Sequence, residues 1–509
     1  MTDANTYSQA DIITGLAAGK PRLLCRRLIA DTDTALGGFL KLCSGEDYAI
    51  LLESVEGGQT LGRYSGIAWA PDLILTARDN KYQISRDGKV ETGHGAIVPL
   101  LRQLVADCQL TDLPDTADLP PMATGGLFGH IGYDFVNEIE NIKLPPNNPE
   151  QDYPVTQLIR PSLLAIFDNV RAVLWLVALL YPKDGIAPEQ QLADAQAKLD
   201  AAMDRLGTQL GAAASTELPD PPEGDVYQRM PLKLSQDLKS FSKLVEKARE
   251  YIFAGDIFQV VLSLAVRLPF AASALSFYRQ LRRLNPSPFL FYLRFPGYEL
   301  VGSSPEILVR VRDRNVTVRP IAGTRPKQAT EAENRAMADD LLADPKERAE
   351  HLMLLDLGRN DVGRVASIGS VSVDKQFIVE HYSHVMHIVS EVSGVLKDNV
   401  DTVDVLVAGF PAGTVSGAPK IRAMQIISEL EPEARGFYAG AVGYFDGRGN
   451  LDTCIALRTA LIKDGQMTVQ AGAGIVADST AEYEYAECRS KARALLQAAA
   501  QTLAARNRE

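Results

Sequence analysis

Hydrophobic and polar residues fall into two textures along the chain. Up to about Gly207, strand-like runs alternate with turns, as in Tyr48 to Ser54 (YAILLES). The most apolar stretch, Ala172 to Tyr181 (AVLWLVALLY), is flanked by Arg171 and Pro182. It predicts a buried strand and is too short to span a bilayer. A helix is predicted over Pro188 to Leu206. Ala212 to Gly224 (AAASTELPDPPEG) is rich in Ala, Pro and acid, as a solvated linker is. The organisation expected is an N-terminal region 1–210, a linker 211–224 and a C-terminal region 225–509.

Beyond the linker, a helix is predicted from Leu234 to Ala254, ending at Gly255. Strands follow at Phe289 to Phe295, Glu299 to Ser303, Ile307 to Arg312 and Val316 to Arg319. Asp344-Pro345-Lys346-Glu347 supplies an N-cap, a first-turn proline and a capping glutamate. Ser479-Thr480-Ala481-Glu482 supplies the same kind of box before a long last helix. Strands mixed with long helices, without regular alternation or internal repeat, predict an α+β fold.

Bulk properties narrow the function. The 509 residues are 46% hydrophobic and 23% charged, ordinary for a soluble protein. The net charge of -12 argues against a nucleic-acid partner. It does not argue against an anionic small molecule, because local arginines and a metal outweigh a distant surface. Cys25, Cys43, Cys108, Cys454 and Cys488 are odd in number and form no CxxC pair. Reduced thiols in the cytoplasm are expected, without a zinc site. The opening MTDANTYSQADIITG has no basic flank before an apolar core, so no signal peptide and no membrane partner are expected.

The two capped helices carry acids. The first (DPKERAEHLMLLDLGRND) holds Glu347 and Glu350; the second (STAEYEYAECRSK) holds Glu482, Glu484 and Glu487. Magnesium takes one or two carboxylates and keeps water and substrate oxygens for the rest. Spacing alone favours plain surface glutamates, with Glu487 paired to Lys491 at i+4. Gln470 to Asp478 (QAGAGIVAD) places Gly472 and Gly474 where backbone amides can approach an anion, or simply make a tight connection. It has no GxGxxG spacing. Phe410 to Lys420 (FPAGTVSGAPK) lacks the phosphate-loop spacing, so no nucleotide is implied.

The order of these pieces resembles the chorismate-utilising enzymes. They are PIAGTRPK (Pro320 to Lys327), ERAEHLMLLDLGRND, HYSHVMH (His381 to His387), GTVSGAPK, RGFYAGAVGYF (Arg435 to Phe445), LDTCIALRTA (Leu451 to Ala460) and QAGAGIVADS. Together they cover about the last half of the chain. LLES (Leu51 to Ser54) and RYS (Arg63 to Ser65) extend the match more diffusely. The resemblance implies antiparallel sheets packed into a core with helices outside, and N- and C-terminal regions that interlock.

Three positions separate the chemistries of this family. DIFQVVLS has Gln259 where isochorismate and salicylate synthases place a water-activating lysine, and a neutral amide is no such base. PIAGT has Ala322 where aminodeoxychorismate synthases typically place a nucleophilic lysine. This pattern resembles anthranilate synthase, which uses ammonia as nucleophile. LLES followed by NPSPFLFYLRF (Asn285 to Phe295) resembles that enzyme's tryptophan feedback site, with Ser54, Pro288, Phe289 and Leu290 around the inhibitor.

The resemblance further implies that Glu350 and Glu487 hold magnesium, with Glu347 and Glu484 on metal-bound waters. Arg458 and Tyr438 would bind the enolpyruvyl carboxylate, Arg458 standing in an apolar, buried run where an arginine needs an anion. Backbone amides of Gly323, Thr324, Gly472, Ala473 and Gly474 would take the remaining oxygens, with Thr414 a further candidate. Glu306 in GSSPEIL is the candidate general acid, which must stay protonated near neutral pH. His387 is the candidate for proton handling, in company with Thr324. His381, His384 and His387 are not a zinc set, because the segment alternates like a strand and no cysteine joins it.

The implied reaction adds ammonia to chorismate with loss of the ring hydroxyl, then expels pyruvate. No cysteine sits in a nucleophile turn, so ammonia would come from a separate glutamine amidotransferase subunit, in a heterotetramer. Aminodeoxychorismate synthase and isochorismate synthase are the enzyme alternatives. A catalytically silent tryptophan sensor would have lost Glu350, Glu487, His387 or Arg458, and all four are present.

Overall fold

A computed structural model of the chain describes residues 7–56, 60–113, 119–146, 152–211, 224–382 and 385–506. The fold is α+β, and the ladders that shape it are antiparallel. Two long strands organise it. Tyr64–Arg78 turns at Ala70 (φ 51°), and its pairing to Thr156–Asp168 shifts register between Pro71 and Leu73. Each strand therefore serves two ladders.

One ladder runs from the start of Thr156–Asp168 through Gly126–Ile131, Ala441–Asp446 and Leu451–Ile455 to Ile307–Arg312. The other runs from Tyr64–Arg78 through Ala49–Glu53, Phe289–Phe295, Tyr298–Ser304 and Thr459–Lys463 to Gln466–Ile475 and Gln259–Pro269. Both ladders mix strands from before and after residue 224, so the two regions interlock. Their facing side chains form one continuous apolar core. Thr156–Asp168 is buried along its whole length, and Gln259–Pro269 along all but its last residue. Strands buried on both faces carry near-continuous apolar runs. Val173–Leu180 is the buried strand expected from its sequence.

Several boundaries differ from expectation for local reasons. The helix expected from Leu234 begins at Leu238, where Asp237 caps the amide of Ser240. Lys233–Leu234 instead pairs as a short strand with Val266 and Arg267. Asp344 does cap the helix Pro345–Val365, through the amides of Lys346 and Glu347. Glu347 does not close the box, because its carboxylate turns to Arg325 at 3.2 Å. The terminal helix Ala481–Arg506 starts one residue later than a cap at Ser479 would place it: Ser479 Oγ accepts from the amide of Val476 and seals the preceding bend. Most of the expected linker (212–223), and His384, lie outside the described residues.

Candidate active site

The site forms where the acidic helix Pro345–Val365 and the terminal helix Ala481–Arg506 approach the edge of the second ladder. Their first turns are neighbours: the Tyr483 phenol is raised by Glu487 foremost, by burial, and also by Glu484 and Glu347. Strand Gln259–Pro269 pairs Val261 with Gly474 and Ser263 with Gly472. This brings the glycine-rich strand beneath the terminal helix.

Glu350 accepts from Gln259 Nε2 at 3.2 Å. Glu347 is held over Gly323 by Arg325, which also binds Asp340 and Asp344 at 2.8 Å each. Gly323 has φ +68°, and a Cβ there would lie 3.0 Å from Glu347 Oε2. A left-handed backbone with a carboxylate this close requires glycine. Glu487 pairs with Lys491 at 2.7 Å, the i+4 contact that spacing alone favoured. Lys491 Nζ also donates to the carbonyl of Gly472 at 3.0 Å. Burial raises the carboxyls of both Glu347 and Glu484 above their ordinary value, and the charges of Glu350 and Glu487 respectively add to this.

Among the described residues, no group of three or more His, Cys, Asp or Glu side chains is gathered closely enough to hold a metal by itself. The donor chemistry nevertheless fits magnesium. That ion needs only one or two carboxylates plus water and substrate oxygens, and a divalent charge would relieve the mutual repulsion of these acids.

The acid and base candidates sit in contrasting states. Burial pushes the Glu306 carboxyl up to about 8, while Thr414, the Ile321 backbone and Lys491 pull it back in part. The Thr414 hydroxyl is itself buried outside hydrogen-bonding geometry. Burial pulls the His387 imidazole down to about 4, and Arg458 and Lys491 act in the same direction. His387 Nδ1 lies 2.8 Å from the carbonyl of Gly323 and 3.1 Å from Thr324 Oγ1. A carbonyl only accepts, so Nδ1 carries the hydrogen and Nε2 keeps its lone pair.

Arg458 is not inside a continuous apolar strand, as its sequence suggested. It occupies a bend (φ +46°) between Leu451–Ile455 and Thr459–Lys463, and is partly exposed. Its one polar side-chain contact among the described residues is Nη1 to Asn285 Oδ1 at 3.4 Å. Protein packed around it lowers its pKa. It has no ion-pair partner among the described residues. Tyr438 is buried beside Gly472, where a Cβ would lie 2.6 Å from its hydroxyl. Burial raises its pKa, so it remains a neutral donor.

A cavity of about 500 Å³ is lined by Ser54, Pro288, Phe289 and Leu290, with Arg63, Met122 and Ile321 among the other walls. Strand Phe289–Phe295 forms one side, paired through Leu290 to Glu53. Sequence reasoning missed Arg325, Lys491 and Asn285 as parts of these sites. Only Lys491 carried a signal, as a lysine four residues after Glu487.

A sequence profile of chorismate binding enzymes matches residues 48–497. Anthranilate synthase component 1 of Cereibacter sphaeroides is 46% identical over 491 residues, spanning 95% of this chain and 96% of that protein. Anthranilate synthase component I from Streptococcus pneumoniae TIGR4 superposes with a TM-score of 0.73 at 35% identity, covering 86% of this chain and 92% of that one. The menaquinone-specific isochorismate synthase of Escherichia coli shares the fold, with a TM-score of 0.68 at 20% identity over 97% of this chain and 100% of that one. The chain therefore belongs to the chorismate binding enzyme family, and within it to the anthranilate synthase component 1 group. Among the described residues, no helix is long and apolar enough to cross a membrane.

Proposed function

We propose that the chain converts chorismate and ammonia to anthranilate and pyruvate, as a magnesium-dependent lyase. The observation that carries this reading is the burial of two titratable groups around Lys491, which raises the Glu306 carboxyl to about 8 and lowers the His387 imidazole to about 4. Pairs of groups whose environments push their pKa values apart mark acid and base assignments.

Arg458 and Tyr438 hold the enolpyruvyl carboxylate, the first by a planar fork and the second by its phenol. Amides of Gly323, Thr324, Gly472, Ala473 and Gly474 take the remaining carboxylate oxygens, and Thr414 faces the ring from the Glu306 side. Magnesium, when bound by Glu350 and Glu487 with Glu347 and Glu484 on its waters, supplies positive charge at the ring carboxylate.

Ammonia attacks the ring and a C–N bond forms. The C–O bond to the ring hydroxyl breaks, and Glu306 gives the proton that lets it leave as water. The added nitrogen loses one proton, which restores the carboxyl of Glu306, so charge balances. In the second step His387 Nε2 removes the ring proton, the ring C–O bond to the enolpyruvyl group breaks, the enol released takes up a proton at its methylene carbon to become pyruvate, and the ring becomes aromatic. Gln259 and Ala322 exclude the lysine chemistries of the sister enzymes.

A separate glutamine amidotransferase subunit supplies the ammonia, in a heterotetramer working in the cytoplasm. The cavity at Ser54 takes tryptophan as feedback inhibitor, its apolar walls suiting an indole and its rim of charges a zwitterion.

Incubation with chorismate, ammonium and magnesium is expected to yield fluorescent anthranilate. Chelation of the metal should lower the rate at least about 100-fold, within the scale of removing an electrostatic catalyst. Accumulation of 4-amino-4-deoxychorismate or isochorismate would sink the assignment. For the inhibitor site, Ser54→Phe fills the cavity, and the tryptophan concentration for half-inhibition should rise at least about tenfold, roughly 1.4 kcal/mol. An unchanged inhibition curve would remove Ser54 from that site.

A further inference from the structure

The cavity at Ser54 and the reacting groups share a wall. Pro305 and Ile307, the chain neighbours of Glu306, line the cavity, and so do Arg319 and Ile321. The Ile321 backbone also hydrogen-bonds the Glu306 carboxyl. The same strand then reaches the base. Ile321–Pro326 pairs with Val385–Val395, but the register shifts between Ala322 and Arg325. Gly323 and Thr324 fall in that bulge, where the Gly323 carbonyl and Thr324 Oγ1 meet His387 Nδ1 at 2.8 and 3.1 Å. A bulge re-aims the groups it carries. Between Arg319 and Thr324 the chain thus passes from the cavity wall to both the acid and the base.

The cavity end of this segment is anchored. The half-buried Arg319 pairs with Glu380, and its Nε lies 3.0 Å from Glu391. Glu380 stands directly across the ladder from His387. Its second oxygen accepts from the Tyr382 hydroxyl at 3.1 Å, and the Tyr382 ring meets the His387 imidazole edge-on, with centroids 5.4 Å apart. Among the described residues, Glu380 is not part of the cavity wall.

We propose that the segment from Arg319 to Thr324, anchored by the Arg319–Glu380 pair, transmits occupancy of the cavity to Glu306 and His387. The proposal rests on the reading that the cavity takes tryptophan. A ligand filling the cavity presses on Arg319 and Ile321. Close-packed walls do not deform continuously, so the displacement passes along the element as a unit. It reaches Glu306 through Ile321, and His387 through Gly323 and Thr324. The ion pair makes this movement collective. With Arg319 held by Glu380, the cavity wall and the strand carrying Glu380 and Tyr382 move together. Without that hold, Arg319 swings aside alone and the displacement is absorbed at the cavity.

Glu380→Met keeps the length of the side chain and removes the anchor without altering the cavity wall. Tryptophan affinity is measured by calorimetry. Anthranilate formation from chorismate, ammonium and magnesium is then followed with and without saturating tryptophan, each chain serving as its own control. In wild type, tryptophan is expected to lower the rate at least about tenfold, within the usual range of coupling between two sites. In Glu380→Met, tryptophan affinity should stay within about threefold of wild type while saturating tryptophan lowers the rate less than about twofold, a separation of binding from inhibition that general loss of structure would not produce. Glu380→Gln, which keeps the shape and loses only the charge, is the second variant should the first not fold. Inhibition as deep as in wild type at equal occupancy, or tryptophan affinity and inhibition lost in step, would overturn the proposal. A wild-type chain that binds no tryptophan would overturn the reading of the cavity and this proposal with it, while anthranilate synthesis itself would stand.

Discussion

Replacing Glu306 with glutamine should lower turnover by about 10² to 10⁴-fold, the usual worth of a positioned general acid. The amide keeps the shape and a hydrogen-bond donor but has no proton to give. The position is 6% exposed, between the strands Tyr298–Ser304 and Ile307–Arg312. Glutamine there substitutes one neutral group for another at neutral pH, so folding and chorismate binding should persist. The pH profile supplies a second check. Burial raises the carboxyl to about 8, so its protonated form is present below that value and is lost as pH rises through it. His387, drawn down to about 4, stays neutral throughout the intervening range and adds no ionisation of its own there. At constant free ammonia, the wild-type rate should therefore fall above about pH 8, and Glu306→Gln should lack that limb. Full activity in the variant, or an alkaline limb that survives it, would take the acid role from Glu306.

Much of the site was legible in the residues, but at different levels. The cap at Asp344 was visible because an N-cap works through neighbours in sequence, and Asp344 bonds the amides of Lys346 and Glu347. The partner of Glu347 was not, because Arg325 reaches it from a strand that no local signal links to the helix. Strand Gln259–Pro269 shows no alternation, since both of its faces are buried, so periodicity could not reveal its exposure pattern or its partner Gln466–Ile475. The acids needed the family resemblance: by spacing, Glu487 reads as a partner for Lys491, and the fold makes that pair. The protonation states of Glu306 and His387 depend on desolvation by the assembled core, which sequence does not display. LLES and NPSP line one cavity because Ala49–Glu53 and Phe289–Phe295 pair across a long stretch of chain, a contact invisible in either motif alone.

Arg458→Ala should separate catalysis from stability in opposite directions. In the unliganded chain the guanidinium is packed by protein, has its pKa lowered by burial, and meets only the side-chain oxygen of Asn285 at 3.4 Å. A cation partly removed from water and left without a counter-charge opposes folding. Removing it should therefore leave the thermal midpoint no lower than wild type in the absence of substrate. The substrate carboxylate is the partner that compensates this charge. Truncating one side of such a pair costs about 2–5 kcal/mol, so kcat/KM for chorismate should fall about 10² to 10³-fold. The loss should appear largely in KM, because the enolpyruvyl carboxylate is held before and during ring attack. Arg458→Lys restores charge without the fork and should recover only part of the affinity. Thermal melts with and without chorismate read both halves of the effect. A variant that melts earlier yet keeps wild-type kcat/KM would make Arg458 a structural residue of the bend and leave the substrate carboxylate to other groups.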